Sequence, residues 1–342
     1  MDLPSCSAGT GGWRTRFFAG AAMALLAAGL CCVGALARAA EAEQGYPLRP
    51  IRVVVPYSPG GSSDTVARII SQKIGEALGQ SLVIDNRPGA AGSLGRDIVA
   101  KAAPDGYTLL FGDSPHTINV HVLRHVPYDP VKDFAPISLV ATTPQVLVVH
   151  PGIAAQSVRD LIAMAKAEPG KLNYGSGGSG SITHLTGELF KLAAQINLVH
   201  VPYKSIAPAM TDVIGGQIQA AFPSMPGAAP HARAGRLRAL AVTSAKRASA
   251  LPEVPTFDEA GVAGMLVMNW FGAMAPARTP EAIVSRLHAE LVKAVRARET
   301  QEKFAALALE TVSSTPAEFR RMLETELAKW GKVVRQAGIK PE

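Results

Sequence analysis

The stretch from Arg52 to Gly75, RVVVPYSPGGSSDTVARIISQKIG, constrains the fold more than any other part of the chain. Its consecutive valines are β-branched and apolar, which is typical of a strand that is buried on both faces. A turn of proline and glycine follows, and Ser62, Ser63 and Asp64 suit the first turn of a helix. Apolar residues then recur every four positions, which predicts one apolar stripe along that helix. The stretch therefore predicts a strand, a tight loop and a helix in direct succession.

The loop between this strand and this helix is a candidate anion site. Gly60 and Gly61 allow a ligand to approach the backbone, and the first N–H groups of a helix have no intrahelical partner. These groups, together with the helix dipole, favour a carboxylate or a phosphate. An ordinary βα turn without a ligand has the same pattern, so both interpretations stay open, and neither GxxxxGK[ST] nor GxGxxG is present. We expect Asp64 to cap the helix, because its charge would repel an anion.

Strands and helices alternate along the rest of the chain. SLVIDN (81–86) and YTLLFG (107–112) follow as strands, so that three βα units in series predict a parallel sheet with ligands beyond its carboxyl edge. Polar residues at 113–119 follow the third strand, and a second glycine- and serine-rich loop, GSGGSGS at 175–181, precedes a further helix. The pattern predicts an α/β fold with two domains.

The N-terminal region predicts a signal peptide at residues 1–39. Arg14 and Arg16 precede an apolar run, and the sequence ALARAAEA supplies A-x-A cleavage sites. A retained membrane anchor is the alternative interpretation of the same run. All the cysteines lie in this region, so the mature chain would contain no disulfide, thiol nucleophile or thiolate metal site. The net charge of +7 comes without a basic run that is interleaved with aromatic residues, so we expect no nucleic-acid partner. The histidines are scattered, so we expect no metal and no cofactor.

Several longer motifs, in order between about Tyr46 and Lys340, resemble those of one family. The motifs are YPLRPIRVVVPYSPGGSSD, IDNRPGAAG, KAAPDGYTLL, VPYDPVKDFAPIS, AKAEPGKLNYGSGGSGS, THLTGELF, HVPYK, GGQIQ, AGRLRALAVTS, LPEVPTFDEAG and STPAEF. They are similar to those of the Bug family, the periplasmic solute-binding receptors of tripartite tricarboxylate transporters. The resemblance implies a type II periplasmic binding protein fold, in which two α/β domains close on a ligand. We expect domain 1 at 45–145 plus 268–342, and domain 2 at 146–267.

The resemblance also implies a function. We expect a monomeric receptor in the periplasm that captures a small organic carboxylate, either a di- or tricarboxylate or an aromatic acid. It would deliver this ligand to the membrane components of a tripartite tricarboxylate transporter, without catalysing a reaction. One alternative is an exported hydrolase that uses a serine of GSGGSGS, although the chain lacks a GxSxG elbow at that place. Another is a receptor that presents the ligand to a sensor kinase.

The family's ligand site corresponds to three segments of this chain. The expected ligand-binding residues are Tyr57, Ser58, Pro59, Gly60, Gly61, Ser62, Ser63, Thr65, Ser114, His116, Asn119, Ser176, Gly177, Gly178, Ser179, Thr183 and His184. For His116 the alternative is a solvent-facing loop histidine, and for His184 it is a capping or helix-surface role. Many relatives carry a carboxylate where this chain has Phe222 followed by Pro223. An acidic partner for a ligand amino group is therefore missing at that position.

Overall fold

The computed structural model describes residues 45–341. The predicted signal peptide, its cleavage site and the cysteines lie outside the described residues. The chain divides into the unit Met1–Leu48, of which residues 45–48 are described, and the unit Arg49–Glu342. Across residues 45–341, no helix has the length and the apolar character that crossing a membrane would require.

The described strands belong to the second unit and form two sheets. The strands are β1 (Ile51–Val55), β2 (Leu82–Asn86), β3 (Thr108–Asp113), β4 (Phe134–Pro144), β5 (Val146–Val149), β6 (Asn173–Ser176), β7 (Val199–Pro202), β8 (Ala220–Ala221), β9 (Arg238–Val242), β10 (Met268–Pro276) and β11 (Glu310–Thr311). The first sheet has the order β11-β4-β10-β3-β1-β2, and the second has the order β7-β6-β8-β5-β9. The α/β fold predicted from the sequence is therefore confirmed.

Helices connect these strands and cover the sheets. They are α1 (Ser62–Leu78), α2 (Ser93–Ala100), α3 (Pro115–Val122), α4 (Val158–Ala167), α5 (Ile182–Ala194), α6 (Ile206–Ile214), α7 (Met225–Arg233), α8 (Glu281–Arg296), α9 (Arg298–Ala306) and α10 (Pro316–Gln336), with a short 3₁₀ turn at Ala90–Gly92. Helix α10 begins with a complete capping box, in which Thr315 and Glu318 bond to each other's backbone N–H groups.

The first sheet is mixed, whereas the sequence predicted a parallel one. β1 pairs in parallel with β2 and with β3, as the successive βα units predict. β10 instead runs antiparallel to both β3 and β4. The reason is topological, because β10 returns to the first sheet only after the chain has built the second sheet. Adjacent sequence patterns carry no information about such a distant pairing.

The chain passes between the two sheets twice, and the two passages are hydrogen-bonded to each other. β4 leads into β5 through Gln145 alone, and the return runs from Thr243 to Val267. The Thr243 N–H donates to the Gln145 carbonyl over 3.0 Å, and the Val267 N–H donates to the Thr243 carbonyl over 3.1 Å. The first of these bonds joins the two connections, and the second links the two ends of the return passage.

Two elements differ from the sequence prediction. The polar segment after β3, for which the sequence predicts no helix, forms α3, with Ser114 at its N-cap position and Pro115 in its first turn. The segment Met225–Arg233 was not predicted as a helix, because Pro226, Gly227 and Pro230 all disfavour one. Its packing with Val148 and Val242 in an apolar cluster outweighs those local preferences.

Candidate functional site

A cavity of about 250 Å³ lies among residues that follow β1, the 3₁₀ turn, helix α3, the loop after β6 and the segment after α10. Its lining consists of Tyr57, Ala91, Pro115, Asn119, Val122, Leu123, Gly177, Ser179, Gly180, Ser181, Ile339 and Lys340. Both sheets therefore contribute to one site, and they do so through loops and helix ends.

The loop after β1 is held by the carboxylate of Asp64, which belongs to the helix that follows the loop, α1. Asp64 accepts a hydrogen bond from the Gly60 N–H over 2.9 Å, and it also accepts bonds from Arg68 and Asn86. Burial alone would raise the pKa of Asp64, but these donors outweigh it and lower the pKa to about 2. The expected cap is not formed, because the N-cap residue Gly61 receives no side-chain hydrogen bond; Asp64 instead stabilises the loop and occupies the Gly60 N–H.

A buried ion pair fixes the hydroxyl of Tyr57 beneath the cavity. Arg96 and Asp113 are 0% and 6% exposed, and Arg96 Nη2 lies 2.6 Å from Asp113 Oδ1. The Tyr57 hydroxyl donates to the same oxygen over 3.0 Å and accepts from Arg96 over 2.9 Å, while Ser63 donates to Asp113 Oδ2. Burial would lower the pKa of Arg96, but the attraction of Tyr57 and Asp113 raises it overall. The network holds Tyr57 in one orientation.

The 3₁₀ turn presents Ala91 to the cavity in a strained conformation. Ala90 and Ala91 have φ values of 46° and 52°, a region that residues with a side chain seldom adopt. The Ala91 carbonyl accepts bonds from Arg96 Nη1 over 3.1 Å and from Asn119 Nδ2 over 3.0 Å. Gly92 is required beside it, because a Cβ there would collide with the Arg96 guanidinium. Strain that surrounding contacts maintain is typical of ligand-binding sites.

The loop after β6 leads into the N-terminus of α5, and several of its own N–H groups are bonded to neighbouring side chains. Ser181 is the N-cap residue, and its hydroxyl accepts from the His184 N–H over 3.3 Å. The Gly177 N–H donates to the Thr183 hydroxyl over 2.8 Å, and the Gly180 N–H donates to His184 Nδ1 over 3.0 Å. Thr183 and His184 thus hold the loop by accepting hydrogen bonds from its backbone. For His184, these contacts match the capping role that was the alternative interpretation.

A serine and a histidine meet behind this loop but do not form a catalytic site. Ser176 Oγ lies 2.6 Å from His200 Nε2, and the His200 ring stacks on His184 at 3.8 Å. Burial, with the nearby charges of His184 and Lys191, lowers the pKa of His200 to about 3. Because Ser176 is fully buried, no substrate could reach its hydroxyl.

His116 lies away from the cavity lining. It is fully buried, its Nε2 lies 2.8 Å from the Pro130 carbonyl, and rings of Tyr128, Phe134 and Trp270 surround it. Burial, together with the charge of Arg96, lowers the pKa of His116 to about 3. Neither the expected donor at the cleft edge nor the solvent-facing loop histidine describes this position, because helix α3 turns the ring into the core.

Four of the expected ligand-binding residues line the cavity, namely Tyr57, Asn119, Gly177 and Ser179. Apart from His116, which lies in the core, the others lie in the same loops and helix ends without lining the cavity, and their role as ligand contacts stays a prediction. Sequence reasoning missed the contributions of Arg96, Ala91 and Lys340. The available signal for Arg96 was its position on α2. It lies on the same helix face as Ser93 and Val99, where the other side chains are small.

Among residues 45–341, no group of three or more His, Cys, Asp or Glu side chains comes together as a metal site would require.

The architecture matches that of the solved periplasmic binding protein BugD, which is 31% identical, with a TM-score of 0.72 over 87% of this chain and 100% of that one. The Rhodopseudomonas palustris protein Rpa4515, solved with adipate, is 37% identical, with a TM-score of 0.75 over 87% of this chain and 100% of that one. The protein MatC of the same organism, solved with bound malate, is 30% identical, with a TM-score of 0.72 over 84% and 100% of the two chains. These similarities define the class as periplasmic solute-binding proteins.

The family follows from sequence comparison. The family profile described as "Tripartite tricarboxylate transporter family receptor" matches residues 66–339. The protein BugT of Bordetella pertussis is 38% identical over 297 residues, which cover 86% of this chain and 91% of BugT. The chain belongs to the family of tripartite tricarboxylate transporter receptors, as its motifs predicted. This family consists of solute receptors and not of enzymes.

Proposed function

We propose that the cavity binds a small organic carboxylate, with a carboxylate group on the N–H groups at the start of α5. The observation that carries the proposal is the chemistry of the lining. It combines the Gly177–Ser181 loop at a helix N-terminus with Tyr57 and Asn119, and it includes no acidic side chain among the described residues. The relatives solved with adipate and with malate support the same ligand class.

We further propose that the receptor works in the periplasm and passes its ligand to the membrane components of a tripartite tricarboxylate transporter. The match to the transporter receptor family supports this role. The signal peptide at 1–39 stays part of the proposal. The division into two domains, with domain 2 at 146–267, is also part of the proposal. The two separate sheets and the two passages that connect them favour this division.

A ligand screen tests the proposal. Charge-assisted hydrogen bonds contribute about 1.5–3 kcal/mol each, so a few of them can support micromolar binding, about −8 kcal/mol. Carboxylic acids that raise the melting temperature would be compared by calorimetry with their methyl esters or amides. We expect the acid to bind at least tenfold more tightly than its neutral derivative. Equal affinity for acid and ester, or no response to any carboxylate, would refute the proposal.

A further inference from the structure

The segment that follows α10 contributes a charged residue to the cavity lining. Of the residues that line the cavity within residues 45–341, only Lys340 has a charged side chain. Neither the motif comparison nor the helix periodicity had indicated this residue as part of the site.

The position of Lys340 is set by the way α10 ends. Gly338 has a φ of 67°, and its N–H donates to the Arg335 carbonyl over 3.2 Å. The Ile339 N–H donates to the Val334 carbonyl over 3.1 Å, which completes a Schellman motif. The Ile339 side chain packs with Val122 and other residues of an apolar cluster that also contains Leu185 of α5. The Schellman motif and the packing of Ile339 together therefore fix the direction in which the chain reaches Lys340.

The charge of Lys340 is available to a ligand. The side chain is exposed, and no carboxylate of the described residues forms an ion pair with it. The nearby guanidinium of Arg96 is fully buried and already bonded to Asp113 and Ala91. Lys340 is thus the cation that a bound solute can reach.

The remaining lining is largely apolar. Ala91, Pro115, Val122, Leu123 and Ile339 share the cavity with the α5 loop and with Lys340. One site therefore combines the N-terminus of α5, which favours an anion, with an apolar wall and a separate cation. This combination suits a ligand with two acidic groups that are joined by an apolar spacer.

We propose that Lys340 is a specificity-determining residue whose ammonium group pairs with the second acidic group of a dicarboxylate. The first carboxylate would lie on the α5 loop, so this inference rests on the proposed function. The receptor would consequently discriminate dicarboxylates from monocarboxylates of the same length. Because the ion pair is exposed at the cavity edge, its contribution should decrease as the salt concentration rises.

The test compares succinate, glutarate and adipate with their monomethyl esters, which keep one carboxylate and the same spacer. Calorimetry would be performed on the wild-type protein, on Lys340→Gln and on Lys340→Arg. Lys332→Gln is the matched control, since Lys332 is an exposed lysine of α10 that does not line the cavity.

We expect the wild type to bind at least one diacid about twofold to fivefold more tightly than its half-ester, as the loss of one exposed ion pair implies. Lys340→Gln should lose that preference by weakening the diacid alone, Lys340→Arg should keep most of it, and Lys332→Gln should equal the wild type. If diacid and half-ester bind the wild type equally, or if the preference survives in Lys340→Gln, the inference is wrong while the proposed function stands. If no acid or half-ester binds, both fail.

Discussion

Gly180 provides the sharpest test of how the two halves of the site meet. Its φ is 72°, and a Cβ at this position would lie 2.8 Å from Val122 Cβ and 2.9 Å from Val122 Cγ2. Gly180 belongs to the loop after β6 of the second sheet, whereas Val122 ends helix α3, which follows β3 of the first sheet. The variant Gly180→Ala therefore inserts a methyl group where the two halves touch beside the cavity.

The magnitude follows from two separate costs. An alanine in the left-handed region costs about 1–2 kcal/mol, and this penalty affects folding wherever it occurs. Carbon atoms pack at about 3.5–4.0 Å, so the loop or α3 must shift by about 1 Å to accommodate the methyl group. Overpacking of this kind costs about 1–3 kcal/mol. This cost acts on the contact between Gly180 and Val122, which lies beside the cavity. We therefore expect ligand affinity to fall about tenfold to a hundredfold.

Calorimetry and thermal unfolding separate the two costs. Gly235→Ala is the matched control, because Gly235 has a φ of 66° and no heavy atom lies within 4 Å of a Cβ built there. Both variants should lose stability through the left-handed strain, Gly180→Ala should lose at least as much as Gly235→Ala because of the added overpacking, and only Gly180→Ala should lose affinity for the carboxylate found in the screen. In a Val122→Ala background the added methyl group meets fewer atoms, so Gly180→Ala should weaken binding less. A folded Gly180→Ala protein with full affinity would show that the ligand-bound state does not need this contact.

Three further predictions concern buried side chains that can carry a charge. Arg96→Met should lower the free energy of unfolding by about 3–5 kcal/mol in urea titrations, because it leaves Asp113 buried without its partner; a loss below 1 kcal/mol would contradict this. The lowered folded-state pKa of Asp64 stabilises the protein above its unfolded value of 3.8, and this contribution of about 2 kcal/mol is lost as the pH falls towards 2. Asp64→Asn should therefore flatten acid unfolding over that range, and an unchanged profile would refute the assignment. His116 binds a proton in the unfolded chain near pH 6.5 but in the folded chain only near pH 3, so stability falls as the pH drops between these values. Its ring signals in NMR should not titrate between pH 8 and 5, and a midpoint near 6.5 would show that the ring is exposed.

The sequence alone determined the local elements and the family. The valine run of β1, the turn at Gly60 and the four-residue spacing of α1 are short-range signals, and the structure places each where the pattern predicts. Such signals are reliable because strand and helix periodicities depend on neighbouring residues only. The same reasoning identified the loop at 175–181, which precedes α5 and supplies part of the cavity.

Tertiary structure alone decided which residues line the cavity. The polar segment after β3 became helix α3, and its helical turn directs Asn119 to the Ala91 carbonyl but buries His116 among aromatic rings. Arg96 pairs with Asp113 across 17 positions of sequence, and Lys340 reaches a cavity whose other residues begin at Tyr57. Contacts of this kind depend on how elements far apart in the sequence pack together. The charge or size of a side chain does not indicate which residues, distant along the chain, it will contact. The sequence therefore predicted the kind of site, and the packing of the two sheets selected its members.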